Sequence, residues 1–97
     1  MNTVYILHSI KINRYYIGYT FNLELRLQFH ADAESRKFTH KADDWTVFYS
    51  FNCESKLQAL AIEKHIKAMK SKTYIENLKK YPEMIEKLLE KYRASDC

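Results

Sequence analysis

Thr3-Val4-Tyr5-Ile6-Leu7-His8-Ser9-Ile10-Lys11-Ile12-Asn13-Arg14-Tyr15-Tyr16-Ile17-Gly18-Tyr19-Thr20 is the stretch that decides the architecture. Its two ends, Thr3 to Leu7 and Tyr15 to Thr20, are β-branched and aromatic and read as strands, and Ser9 to Arg14 can close a hairpin between them. A third run of the same character, Trp45-Thr46-Val47-Phe48-Tyr49-Ser50-Phe51, predicts another strand. Three strands suffice for a sheet with one packed face.

Between the second and third runs, Leu23-Glu24-Leu25-Arg26-Leu27-Gln28-Phe29-His30 alternates like a strand but consists largely of strong helix formers, with no β-branched residue. Asn22 can cap it, and Leu23, Leu27 and Ala31 then share a face, so a helix is expected. The polar stretch from Asp32 to Asp44 reads as a mobile loop. Ser55 and Gln58 form a capping box at the head of a helix whose apolar stripe is Leu57, Leu60, Ala61, Ile62, Ile66 and Met69. Ser71 can cap a shorter helix ending near Lys80, and Pro82 suits the first turn of a last helix with Ile85, Leu88, Leu89 and Tyr92 on one side. The order β-β-α-β-α-α plus a C-terminal helix predicts an α+β fold, a small, largely antiparallel three-stranded sheet flanked by helices. A single domain over 1–97 is expected, with its core at about 3–78 and a covering helix at about 82–93.

The composition fits one folded domain. At 97 residues and 11.7 kDa, 46% hydrophobic and 14% aromatic, the chain is too short for a multidomain machine and too apolar for a disordered one. Cys53 and Cys97 are too few for a disulfide framework, and no cysteine-histidine cluster suggests zinc. Neither a signal peptide nor about 18 consecutive apolar residues is present, so a cytoplasmic protein with no membrane partner is expected. The net charge of +4 hints at an anionic partner such as nucleic acid, and the segment from Ser55 to Thr73 carries that same +4 through Lys56, Lys64, Lys67, Lys70 and Lys72 against the lone Glu63. Taken alone, such a helix is usually a solvated face. The chain has one glycine, Gly18, and one proline, Pro82. A glycine inside a strand often marks a place where another backbone or a ligand comes close, so Gly18 reads as space beside Tyr16.

Val4-Tyr5-Ile6 followed by Tyr16-Ile17-Gly18 resembles the paired signature of the GIY-YIG nuclease superfamily. Further pieces follow in order: Thr20, Asn22-Leu23, Arg26-Leu27, His30, Thr39, Trp45, Val47-Phe48-Tyr49, Glu63-Lys64 and Lys70-Ser71. Over roughly Thr3 to Leu78 the pattern is similar to the small single-domain bacterial members. It departs from them at Val4 in place of the first glycine, at Ile62 where an arginine often precedes the glutamate, and at Asp43-Asp44 in place of Arg-Pro. The resemblance implies a metal-dependent endonuclease acting on DNA, with Mg²⁺ or Mn²⁺ as a single ion, and with Tyr5, Tyr16, Arg26, His30 and Glu63 as its catalytic residues.

The residues make chemical sense in those roles. Tyr5 and Tyr16 can lie directly or diagonally opposite on one face of the hairpin, although two of eight tyrosines could equally just pack. Arg26 and His30 project from one side of a helix; the arginine can grip a phosphate through paired hydrogen bonds and the histidine can pass a proton near neutral pH. Their ordinary fates would be a surface arginine and a core histidine. Glu63 supplies the carboxylate that a hard divalent cation needs, since such an ion takes one or two carboxylates plus water and phosphate oxygens. The competing role for Glu63 is an ion pair with Lys67, worth only about 0.3 to 0.5 kcal/mol. An unperturbed phenol has a pKa of about 10, so a tyrosine base needs nearby cations to lower it. The resemblance implies that a tyrosine or the histidine activates water. Tyr5 is taken as the base, with Tyr16 as its orienting partner or substitute. Arg14, Lys64, Lys67, Lys70 and Lys72 are the expected nucleic-acid contacts. His8, His40 and His65 lack metal-ligand spacing and receive no role.

Two functions compete. One is the endonuclease; the other is a nucleic-acid-binding module on the same scaffold that turns over little or not at all without a protein partner. The family often joins its catalytic domain to DNA-binding domains, so the expectation here is a catalytic domain without its own targeting domain, served by a targeting partner. Monomer and weak dimer both remain open.

Overall fold

The computed structural model describes residues 1–26 and 44–93. Its elements are β1 (Asn2–Ser9), β2 (Arg14–Thr20), β3 (Thr46–Cys53), α1 (Lys56–Met69), α2 (Lys72–Lys80) and α3 (Pro82–Lys91), with a helical turn at 23–26 that leads out of β2. The strands run antiparallel in the order β2-β1-β3. This is the expected α+β fold, with the strands one or two residues longer than their aromatic cores. The expected loop from Asp32 to Asp44 lies outside the described residues except for Asp44, as do Leu27 and Ala31 of the expected helix face.

β1 sits in the middle because Val4-Tyr5-Ile6-Leu7 is apolar on both faces, and both faces are buried. Val4 and Ile6, with Ile17 of β2, pack against Ala59, Ile62 and Ile66 of α1, Ile75 and Leu78 of α2, and Ile85 and Leu88 of α3. Thr3, Tyr5 and Leu7 point the other way and are buried as well, so the sheet exceeds the single packed face expected of three strands. A bulge shifts the β1–β3 register between Ile6 and Leu7. Phe48, the residue left over, packs its ring edge-on to Tyr15 and His8, with Lys79 Nζ 4.8 Å from the ring centre.

The chain turns without glycine. Asn13 takes the left-handed position in the hairpin at φ 50°, and Lys70 ends α1 at φ 48°. Ser55 Oγ accepts the Gln58 N–H and Ser71 Oγ accepts the Tyr74 N–H, both at 3.1 Å, and Pro82 opens α3.

Two details correct the sequence reading of α1. Its buried side is Gln58, Ala59, Ile62 and Ile66, whereas Leu57 is 80% exposed, and Leu60 and Met69 also lie outward. The rotation follows from Ala59, Ile62 and Ile66, which lie three and four apart and pack together against the sheet. Gln58 is also more than half of a capping box. Its side-chain oxygen accepts the Glu54 N–H at 2.6 Å, one residue before the cap, and its Nε2 donates to the Leu89 carbonyl at 2.7 Å. A buried amide thereby fastens α3 to the head of α1. Near the other end of α1, His65 Nδ1 and the Tyr92 hydroxyl are 3.0 Å apart, giving His65 a structural part.

Replacing Gln58 by Ala leaves the Leu89 carbonyl and the Glu54 N–H without their partner, a loss of roughly 2 kcal/mol. The expected outcome is a thermal midpoint lower by roughly 10 °C, followed by circular dichroism; an unchanged midpoint would show that the amide is dispensable.

Candidate active site

Strand register places Tyr5 directly opposite Gly18, with Ser50 on its other side, and pairs Leu7 with Tyr16. Tyr5 and Tyr16 are therefore diagonal neighbours on the sheet face turned away from the helical core. Their ring centres lie 6.2 Å apart at 54°. The Tyr5 phenol reaches across the position where any other residue at 18 would carry a side chain. A Cβ there would stand 2.5 Å from the Tyr5 hydroxyl oxygen and 2.6 Å from Cζ. The space beside Tyr16 is thus filled by Tyr5 itself rather than held open for a ligand, which corrects one part of the reading of Gly18.

Tyr5 is fully buried, and its hydroxyl donates a hydrogen bond to Tyr16. Burial is the largest influence on the phenol and holds its pKa far above the ordinary value; the neighbouring Tyr16 pushes the same way, Arg26 opposes, and Glu63 adds to the rise. The cation that was to activate Tyr5 is present, but desolvation outweighs it. Tyr5 stays neutral.

Those influences also locate the other groups. Arg26, half-buried, follows from Asn22, whose side-chain oxygen accepts the Leu25 N–H at 3.1 Å and starts the helical turn. Glu63 comes from α1, its side chain only 16% exposed, and it pairs with Lys67 at 2.9 Å. Both are close enough to act on the Tyr5 phenol through their charge. Of the five expected catalytic residues, Tyr5 of β1 and Tyr16 of β2 are therefore in contact, and Arg26 from the turn after β2 and Glu63 from α1 act on Tyr5 through their charge. The fifth, His30, lies outside the described residues. Arg14 shares the strand face of Tyr16 and Gly18 and is exposed, as are Lys64, Lys67, Lys70 and Lys72 at the end of α1 and the start of α2.

As a metal centre the site has one protein ligand to give. Among the described residues no three His, Cys, Asp or Glu side chains cluster. A single half-sheltered carboxylate fits an ion that keeps most of its ligands as water and phosphate oxygens, such as Mg²⁺, and does not fit a caged structural metal. Lys67, half-exposed, holds Glu63 by an interaction of only about 0.3 to 0.5 kcal/mol, weak enough for such an ion to displace.

Ser50 had no place in the sequence reading. It flanks Tyr5 opposite Gly18. The available signal was a small residue interrupting the aromatic run Phe48-Tyr49-Ser50-Phe51.

Gly18→Ala forces the buried phenol aside, and overpacking of this kind costs about 1 to 3 kcal/mol. Denaturant unfolding is expected to give that loss for the single variant, and Gly18→Ala combined with Tyr5→Ala is expected to fall short of the summed single losses, because the clash is gone. Strict additivity would mean that the two side chains do not compete for the same space.

No helix among the described residues is long and apolar enough to cross a membrane. Among curated proteins and solved structures, none matches the chain. The model of the GIY-YIG catalytic domain matches residues 1–80 of the 97. With that match covering most of its length, the chain belongs to the GIY-YIG family, whose domains are generally nucleases.

Proposed function

We propose that the chain is a metal-dependent endonuclease that hydrolyses phosphodiester bonds in DNA, serving repair, recombination or processing in the cytoplasm. One observation carries the reading: two phenols meet beside the only glycine of the chain, and a guanidinium and a carboxylate act on the buried one through their charge.

In this reading Arg26 grips the scissile phosphate through paired hydrogen bonds and stabilises charge as it builds in the transition state. Tyr5 and Tyr16 exchange the parts that sequence gave them first preference for. Tyr5 is sealed from solvent and remains a donor, so it holds the Tyr16 oxygen in place. Tyr16, half-buried and already receiving that hydrogen bond, acts in its phenolate form, which takes up a proton from the attacking water and becomes the neutral phenol. The water oxygen bonds to phosphorus as the ester bond opposite it breaks. His30 is assigned to the phosphate side as a further proton carrier. Glu63 would hold Mg²⁺ or Mn²⁺, which when bound supplies positive charge to polarise the phosphate and stabilise the leaving oxygen. Arg14, Lys64, Lys67, Lys70 and Lys72 are proposed to contact phosphates farther along the strand.

A rival reading, DNA binding without turnover unless a targeting protein is present, draws on the pairing of Glu63 with Lys67. A cleavage panel separates the two, using single-stranded, duplex and branched DNA with Mg²⁺ or Mn²⁺. The expected result is cleavage that chelation stops and that Glu63→Gln abolishes without unfolding the protein. Tyr16→Phe should lower kcat by roughly 10² to 10⁴, the usual contribution of a positioned base, and Tyr5→Phe by less. Retention on every DNA at low salt with no strand breaks would replace the endonuclease by the binding module.

A further inference from the structure

On the sheet face that carries Tyr5, an open groove of about 500 Å³ continues away from the active site, bordered by Thr3, Phe21, Asn22, Leu23, Ser50 and Asn52. That volume falls within the range of small-ligand sites. Two of its walls belong to the catalytic elements. Ser50 is the cross-strand partner of Tyr5, and Thr3 lies two residues before Tyr5 on the same face, paired with Asn52. Leu23 opens the helical turn that carries Arg26.

Phe21 is the unusual residue here, since it is 68% exposed and yet held in place. The Thr20 hydroxyl bridges past it, accepting the Asn22 N–H and donating to the Asn22 carbonyl, both at 3.1 Å. Asn22 is the helix cap, so Phe21 occupies the position that in many helices packs on the fourth helical residue as an apolar staple. The fourth residue of this helix is Arg26. Phe21 therefore has no apolar staple partner, and its exposed ring borders a groove that also takes in Leu23 of the turn that carries Arg26. Across the groove, the Asn52 side-chain oxygen accepts the Thr3 hydroxyl at 2.8 Å. Its NH₂ group makes no hydrogen bond among the described residues and is left to donate.

We infer that this groove binds an unpaired nucleobase next to the scissile phosphate, stacked on Phe21 and hydrogen-bonded by the Asn52 amide. The inference rests on the nuclease reading and names the substrate feature that the same site selects. An exposed aromatic ring offers a face to any base, but only to one whose own face is free, so a nucleotide outside a duplex is the occupant. Adjacent nucleotides share a phosphate, which matches a groove bounded by Ser50, the cross-strand partner of Tyr5, and by Leu23 on the turn that carries Arg26.

Fluorescence anisotropy on end-labelled oligonucleotides tests this with the full chain, comparing a single strand with a blunt duplex of the same sequence. Phe21→Ala should weaken binding of the single strand roughly tenfold, as loss of one stacked base does, and reduce its preference over duplex. Phe21→Trp should restore it. Leu57→Ala, at a residue still more exposed on α1 but outside the groove, should change neither affinity. Equal effects of Phe21→Ala on both DNAs, or none on either, would overturn the groove assignment alone. A wild-type chain that binds no DNA would overturn the nuclease reading along with it. Binding without cleavage in Mg²⁺ would overturn only the catalytic reading, and the Phe21 comparison would still decide the groove.

Discussion

A buried phenol lying across a glycine organises the site. Tyr5 stands on the central strand, where side chains on both faces are buried, and the absence of a side chain at Gly18 lets its ring cross to β2 and meet Tyr16. Any Cβ at position 18 would collide with the ring, so the hydrogen bond between the two hydroxyls depends on that one residue. The hairpin needs no glycine to turn, because Asn13 adopts the left-handed conformation there. The chain thus keeps its only glycine for close packing at the site.

Burial then sets the division of labour. A phenol surrounded by protein loses more from desolvation than one guanidinium can return, and a carboxylate nearby deepens the loss. Tyr5 is consequently a fixed donor. The same cluster that keeps Tyr5 neutral places Arg26 and Glu63 around it, from elements on either side of the third strand in sequence. This assembly from separated elements explains why the helical layer matters to the site. α1 packs with Ala59, Ile62 and Ile66 inward, which holds Glu63 where its charge acts on Tyr5, and Gln58 ties that helix to α3.

Much of this was legible in the residues. Aromatic and β-branched runs marked all three strands, Ser55, Ser71 and Pro82 marked the helix starts, and the paired Tyr5 and Tyr16 runs marked two tyrosines that meet. Other parts depended on information that a linear pattern lacks. Leu57 and Leu60 look like core leucines, but three-dimensional packing favoured the neighbouring stripe and turned them outward. Gln58 looks like a local cap, yet its second bond reaches Leu89, thirty-one residues away. The neutral state of Tyr5 was illegible for a similar reason: the charged neighbours can be guessed from spacing, whereas the depth of burial that outweighs them comes only from the assembled fold. Phe21 reads as an ordinary apolar residue until the Thr20 clasp and the polar staple position explain its exposure.

The most direct test is a pH titration by NMR of the chain labelled with ¹³C at tyrosine Cζ, with the Tyr5 signal assigned by its loss in Tyr5→Phe. The expected result is a Tyr5 resonance that shows no ionisation step as the pH passes through the ordinary phenol value of about 10, while the protein remains folded. A Tyr5 signal that titrates at or below that value would contradict the neutral-donor role and return Tyr5 to the position of base.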